Sequence, residues 1–268
     1  MRIGPESERA TAISASNPET IVVRGHDLAG ELIGKVGFTD YAWLLVAGAL
    51  PTEGQRRVLD ATLVAIAEHG LTPSVQAARM TLAAAPEALQ GAVAAGLLGC
   101  GSVILGSSEQ AGRFFAEIRE AAAGGDLAVA ALAATRRLHA AGRPIPGYGH
   151  PLHKARDARA VRLVEIAREA GLAGDHIRIA ELVEGFAPEV TGKALKMNVS
   201  GAIPAVLLDA GYPLLALKGA PLLARTAGLI GHLLEEQARP VGFALAQAGA
   251  AAVRYDGPAP AGFVADEG

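Results

Sequence analysis

The stretch "PGYGHPLHKARDARA", residues 146–160, carries most of the chemistry in this chain. It sets His150 directly after a Gly-Tyr-Gly turn and follows it with Lys154, Arg156 and Arg159. Glycine lets a backbone approach a ligand closely, because it has no Cβ. A histidine on such a turn could exchange a proton with a ligand oxygen, and the cations suit a carboxylate or phosphate.

The same stretch belongs to a wider run of basic residues. Seven Lys or Arg residues lie between Thr135 and Arg162, against one acid, Asp157. A helix beginning near Asp157 would add the positive end of its dipole to this run. Two interpretations stay open from the residues alone: an anion site, or a solvated helix face.

Composition predicts an all-α protein in a reducing compartment. Hydrophobic residues make up 51% of the 268 residues but aromatic residues only 4%, which favours closely packed Ala- and Leu-rich helices. The net charge of −3 argues against nucleic-acid binding and against binding to an anionic membrane. The single cysteine, Cys100, is interpreted as a core residue. It excludes an internal disulfide and, with a polar N-terminus, predicts a cytoplasmic protein.

Apolar spacing and helix caps predict the elements. Val22 and Val23 indicate a short strand or hairpin, Thr39 and Asn198 are predicted N-caps, and the tail from Val253 is predicted to be extended. A smaller domain is predicted over 106–193, inside a larger one made of 1–105 and 194–268. Helices are predicted over 38–50, 52–70, 73–84, 86–100, 107–123, 126–141, 157–170, 176–186, 188–195, 199–211 and 219–237.

Three stretches together resemble the citrate synthase family. The first, 146–160, resembles its Pro-Gly-Tyr-Gly-His motif, with Arg159 nine residues after the histidine. The others are "IVVRGHDLAGELIGKVGFTDYAWLLVAGALPTE" (21–53) and "ARTAGLIGHLLEE" (224–236), in the family's order. The chain is most similar to the family's short forms, which are labelled citryl-CoA lyases.

The resemblance implies a nearly all-helical fold with a large and a small domain, assembled as a homodimer. It implies an enzyme that joins or splits an acyl-CoA and a 2-oxo acid without a metal. The expected ligands are an acyl-CoA and a di- or tricarboxylate. Coenzyme A enters as a thioester substrate, and no tightly bound cofactor is expected.

The resemblance also assigns site residues. His150 matches the histidine that bonds the keto or hydroxyl oxygen of the substrate, and His69, Arg159 and Arg225 match substrate-binding residues. The residues expected to bind coenzyme A are Arg143, Pro146, Gly147, Tyr148, Gly149 and Lys154.

Two departures from the family pattern concern the enolising step. Ser200 stands where the family has the aspartate that removes the α-proton, so Ser200 is the catalytic candidate at that position. Val103-Ile104-Leu105-Gly106 replaces the run with a second histidine, whose role could pass to a nearby hydroxyl or backbone N–H. The hydroxyl candidates are Ser102, Ser107 and Ser108.

Three hypotheses follow. The first is a lyase that cleaves a citryl-CoA-type thioester into acetyl-CoA, or another acyl-CoA, and oxaloacetate or another 2-oxo acid. The second is a citrate synthase-like acyltransferase, which needs another base, for instance Glu109 or Asp157. The third is a non-catalytic acyl-CoA-binding accessory protein.

Overall fold

The computed structural model describes residues 10–103, 105–149 and 156–263. These residues form eleven α-helices and three short strands, as the composition predicts. The helices are α1 (Phe38–Ala47), α2 (Glu53–Ala67), α3 (Pro73–Ala84), α4 (Leu89–Leu98), α5 (Gly106–Ala122), α6 (Leu127–Ala140), α7 (Ala158–Glu169), α8 (Asp175–Thr191), α9 (Val199–Asp209), α10 (Gly219–Ala238) and α11 (Gly242–Ala251).

A small antiparallel sheet precedes the helices. Strands β1 (Ser14–Ser16), β2 (Ile21–Val23) and β3 (His26–Asp27) lie in that order. Arg24 forms the turn between β2 and β3 with a left-handed φ of 50°, and its Nη2 donates to the carbonyl of Leu45, 2.6 Å away. The strand predicted around Val22 is therefore confirmed.

The contacts divide the chain into two compact units. The first contains the described residues within Met1–Ala65 and Ser107–Ala220, and the second those within Ile66–Gly106 and Pro221–Gly268. The predicted large and small domains, 1–105 with 194–268 and 106–193, stay a prediction.

The first unit is built around α9. Five of its side chains are fully buried, and α7 and α8 pack against it. The sequence explains this, because "GAIPAVLL" (201–208) is apolar on every side, and a helix apolar all round belongs inside a core. The fully buried α9 residues are Ala202, Ile203, Ala205, Val206 and Leu207.

The second unit packs α3, α4 and α11 with part of α10. Its apolar core includes Val75, Leu82 and Leu229. A buried ion pair accompanies this core: Arg79 Nε lies 2.6 Å from Glu236 Oε2. Glu236 also accepts hydrogen bonds from the backbone N–H groups at the start of α11, so this carboxylate fixes the turn between α10 and α11.

Several local predictions were wrong, and the reasons are tertiary. One helix, α8, runs through Pro188, where a break between 186 and 188 was predicted. Its face is fully buried at Val183 and Ala187, and this packing outweighs the one hydrogen bond that proline removes.

Helix α11 was not predicted. The N-cap of α1 is Gly37 and not Thr39, whose hydroxyl bonds Asp60 instead.

One described segment, Leu214–Ala238, is long and apolar enough to cross a membrane by length and composition. Core helices of soluble proteins pass the same test, so no membrane span is inferred.

Candidate active site

The glycine turn of the first unit is pressed against the start of α9. Gly147 and Gly149 have left-handed φ values of 85° and 76°. A Cβ on Gly147 would lie 2.6 Å from the Cα of Gly201, and a Cβ on Gly201 would lie 2.6 Å from the carbonyl oxygen of Gly147. Neither position accepts a side chain, so glycine is required at both for the two segments to touch.

Hydrogen bonds fasten the same two segments together. Asn198 N donates to the carbonyl of Gly147 over 3.0 Å, and Gly149 N donates to the carbonyl of Lys196 over 2.8 Å. The side-chain amide of Asn198 donates to the carbonyl of Gly149 over 2.6 Å. The turn is therefore rigidly placed beside the N-terminus of α9. His150 and Lys154, predicted for catalysis and coenzyme A binding, lie outside the described residues.

Tyr148 anchors the glycine turn to α8. Its hydroxyl donates to the carbonyl of Ala180 over 2.7 Å, and its ring packs edge-on against Phe115. Burial raises the pKa of Tyr148 well above its ordinary value, with Glu184 and Glu181 adding to the effect. The phenol is neutral and already hydrogen-bonded, and the role of Tyr148 in coenzyme A binding stays a prediction.

Ser200 lies in the first turn of α9. Asn198 caps this helix as predicted, accepting a hydrogen bond from Ser200 N over 2.9 Å. The half-buried Ser200 hydroxyl bonds no other described residue. It occupies a fixed position at a helix N-terminus, where it could donate a hydrogen bond but is a poor base.

Arg159 is held by the carboxylate of Asp157, the N-cap of α7. Its Nε and Nη2 lie 3.1 and 3.0 Å from the two carboxylate oxygens. Asp157 is 8% exposed and also accepts from Val199 N over 3.0 Å. Burial raises the pKa of Asp157, but Arg159 and the Val199 N–H lower it by more, so the net shift is downward. Asp157 thus orients Arg159 and ties α7 to α9.

Most of the basic run is paired with acids. Only one acid lies within the run, and the folded chain brings others from α5, α7 and α8. The ion pairs are Arg136–Glu189, Arg137–Glu117, Arg156–Glu184, Arg159–Asp157 and Arg162–Glu169. The interpretation as a solvated, salt-bridged face therefore holds for most of this run.

Arg143 differs from these arginines. It is exposed and forms no ion pair with a described residue. It lines a cavity of about 310 Å³ that also includes Phe114, Pro146 and two further arginines, Arg113 and Arg137. Glu117 also lines this cavity and pairs with Arg137, and Arg113 pairs with Glu109, whereas Arg143 has no acidic partner among the described residues. Apolar surface beside such an arginine suits an aromatic base that carries phosphate groups.

The second unit contains Arg225 and His69. Arg225 is only 2% exposed, yet its Nε and Nη1 atoms have no hydrogen-bond partner among the described residues. His69 is exposed in the turn between α2 and α3, and its N–H donates to Glu68 over 2.8 Å. Because buried donors without partners are costly, these two atoms favour the prediction that Arg225 binds an anion.

Comparison with known proteins identifies the family. The family described as "Citrate synthase, C-terminal domain" matches residues 52–241. The chain belongs to the citrate synthase family. A search of the curated proteins returned no match.

Solved structures agree with this assignment. Citryl-CoA lyase from Hydrogenobacter thermophilus is 32% identical, with a TM-score of 0.85 over 96% of this chain and 98% of that one. ATP citrate lyase from Methanothrix soehngenii, in complex with citrate and coenzyme A, is 24% identical, with a TM-score of 0.77 over 96% of this chain and 43% of that one. Citrate synthase from Thermotoga maritima is 21% identical, with a TM-score of 0.64 over 87% and 61%. The last two likenesses show the fold alone.

Within the citrate synthase family, this chain is an enzyme of the lyase or citrate synthase type. The sequence predicts a departure from the family pattern at 103–106. Gly106 N donates to the carbonyl of Gly101 over 3.0 Å, which closes a tight turn. Leu105 adopts a left-handed φ of 66° in it, and Ile104 lies outside the described residues. Ser107 and Ser108 begin α5, with Ser108 buried, whereas Ser102 is exposed.

Neither carboxylate suggested as a replacement base is free. Glu109 pairs with Arg113, one helical turn away, at 2.8 Å. Asp157 accepts hydrogen bonds from Arg159 and Val199, and its pKa is lowered. A general base works best with a pKa near the working pH. The lowered pKa therefore makes Asp157 a poor general base, and Glu109 is held by Arg113.

Proposed function

We propose that this protein is a citryl-CoA lyase, which cleaves citryl-CoA to acetyl-CoA and oxaloacetate. The observation that carries the proposal is the buried guanidinium of Arg225, whose Nε and Nη1 have no partner among the described residues, in a chain of this family. A tricarboxylate thioester supplies the anion that this arginine requires. The 32% identity to a citryl-CoA lyase along nearly the whole of both chains supports the choice of substrate.

The reaction is a carbon–carbon cleavage. A base removes the proton of the tertiary hydroxyl, and the bond to the methylene carbon of the thioester arm breaks as the ketone of oxaloacetate forms. The electron pair leaves as the acetyl-CoA enolate, which takes up a proton at carbon. In the proposal His150 accepts the hydroxyl proton, and His69, Arg159 and Arg225 bind the substrate.

Ser200 leaves the α-proton step, which is the first step of condensation and the last step of cleavage, without the family's carboxylate. Condensation begins with removal of a weakly acidic proton from acetyl-CoA, and a positioned base contributes about 10²- to 10⁴-fold to such a step. Cleavage begins at a hydroxyl and ends with protonation of the enolate carbon, for which water can supply the proton in place of a carboxylic acid at position 200. In the proposal the Ser200 hydroxyl donates a hydrogen bond near the enolate and does not act as a base.

Coenzyme A binding is assigned to the cavity beside the glycine turn. Arg143 provides a cation that has no ion pair with a described residue, while Phe114 and Pro146 provide apolar surface. We expect Arg143→Ala to weaken coenzyme A binding about tenfold, the value of one hydrogen bond to a charged group. Isothermal titration calorimetry with coenzyme A measures this, with Arg136→Ala as the matched control. Equal affinity in both variants would exclude Arg143 from the site.

The resemblance also implies a homodimer, and the second unit presents apolar surface for one. Ile230 and Leu234 lie four residues apart on α10 and are 51% and 68% exposed, so they share an unpartnered face. Leu98, at the end of α4, is 86% exposed. The proposed occupant is a second copy of this chain. Leu234→Glu is expected to yield monomers in light scattering after gel filtration; a monomeric unsubstituted protein would contradict the proposal.

The decisive experiment is incubation of the purified protein with citryl-CoA, followed by mass spectrometry of the CoA species and 2-oxo acids. Acetyl-CoA and oxaloacetate in equal amounts are expected. His150→Ala is expected to abolish turnover without loss of the helical circular dichroism spectrum. Intact citryl-CoA that binds tightly would instead favour the accessory, non-catalytic role.

A further inference from the structure

The turn that carries His69 is closed by a neighbouring carboxylate. Glu68 Oε1 accepts hydrogen bonds from the N–H of His69, over 2.8 Å, and from the N–H of Gly70. Helix α2 ends at Ala67, so these two N–H groups lie just beyond it. The side chain of Glu68 takes the place of the carbonyl acceptors that a continuing helix would supply.

The other oxygen of the same carboxylate reaches α10. Glu68 Oε2 lies 2.9 Å from His232 Nε2. This nitrogen is buried, and its contact with Glu68 does not have the geometry of a regular hydrogen bond. Burial raises the pKa of Glu68, but His232 and the N–H groups of Gly70 and His69 lower it by more, so Glu68 is a carboxylate at neutral pH. One acidic side chain thus joins the His69 turn to α10.

The backbone of α10 touches the end of α2 at the same place. A Cβ on Gly228 would overlap the carbonyl oxygen of Ala67 and lie 3.2 Å from Glu68 Oε2. Arg225, Gly228 and His232 are spaced three and four residues apart, so they share one face of α10. The face that holds the unpartnered arginine is therefore the face fixed to the His69 turn.

We propose that Glu68 and His232 are positioning residues, which hold His69 and Arg225 in register for the carboxylates of the substrate. The inference rests on the proposed function. His69 and Arg225 come from segments more than 150 residues apart, and nothing local fixes their separation. A misplacement of about 1 Å in a binding group can cost about 10²-fold in rate. The Glu68 carboxylate contacts both segments and so limits that error.

The test compares Glu68→Ala, Glu68→Gln and the exposed control Glu87→Ala in the whole protein. Glu68→Ala is expected to raise the KM for citryl-CoA about tenfold with kcat changed less than about threefold, because binding geometry is lost and the chemistry is kept. Glu68→Gln is expected to recover most of the loss, because its amide oxygen still accepts from both N–H groups. His232→Gln is likewise expected to work better than His232→Leu.

A second readout does not depend on turnover. The ring resonances of His69, assigned with a His69→Gln variant, are expected to shift in Glu68→Ala and to stay unchanged in Glu87→Ala. An unchanged KM in Glu68→Ala would overturn the proposal, whether or not the spectrum moved. If the unsubstituted protein does not cleave citryl-CoA, the proposed function fails. In that case an unshifted His69 spectrum overturns the positioning role, and a shifted one supports it.

Discussion

Arg159 and Arg225, both predicted to bind a substrate carboxylate, lie in opposite electrostatic surroundings. Arg159 is half-buried and gripped by Asp157 through two hydrogen bonds. Arg225 is 2% exposed and its Nε and Nη1 atoms have no partner among the described residues. Arg159 is stable without a ligand, whereas Arg225 is costly until an anion binds. In the proposed function the substrate supplies that anion.

The largest expected effect follows from replacing Arg225. Arg225→Met is expected to lower kcat/KM for citryl-CoA about 10²- to 10³-fold, because hydrogen bonds from a charged group contribute about 1.5–3 kcal/mol each. Steady-state kinetics measures the loss, and Arg136→Met serves as control. Activity within threefold of the control would show that Arg225 has no carboxylate to bind.

The same variant is expected to become more stable. Removing unpaired buried donors should raise the free energy of unfolding by about 1–3 kcal/mol, because methionine fills the space without needing partners. Urea unfolding measures the change in the absence of ligand. A stability loss in Arg225→Met would mean that the guanidinium has a partner after all.

A smaller effect is expected at the Arg159 side of the comparison. Asp157→Asn should lower kcat/KM about tenfold, because Arg159 loses its fixed orientation. It should also destabilise the protein at neutral pH by about 2 kcal/mol, the value of one hydrogen bond to a charged group.

The sign of the pH dependence follows from the lowered pKa of Asp157. Its contribution to stability is complete above the unfolded pKa of about 3.9 and is lost as pH falls through the lower folded pKa. The stability gap between the unsubstituted protein and Asp157→Asn should therefore begin to narrow near about pH 4 and close as the pH falls further. A gap that persists in more acidic solution would contradict this origin. Thermal melts across this range decide it.

The smallest effect is expected in the paired part of the basic run. Arg136 and its partner Glu189 are both more than half exposed. Such surface pairs contribute about 0–1 kcal/mol. Arg136→Ala should leave kcat/KM and the free energy of unfolding nearly unchanged. A marked fall in coenzyme A affinity in this variant would instead restore the wider anion-site interpretation of the run.

Local sequence signals predicted the features that depend on neighbouring residues. Asn198 and Asp157 cap α9 and α7, because a side-chain oxygen two residues before an N–H is placed by local geometry. The glycine turn and the helical pattern could likewise be predicted from local sequence. Helix α11 was missed, because its start is fixed by Glu236, which is itself bound to Arg79, 157 residues away along the chain.

The helical class, the caps, the glycine turn and, through the motifs, the family can all be predicted from the order of the residues. Which charges remain available for a ligand depends on the folded arrangement. Acids distant in the chain neutralise most of the basic run, while Arg225 is buried without a described partner. Charge pairing depends on distances in space, and burial decides what an unpaired charge costs. Neither quantity can be read from spacing along the chain.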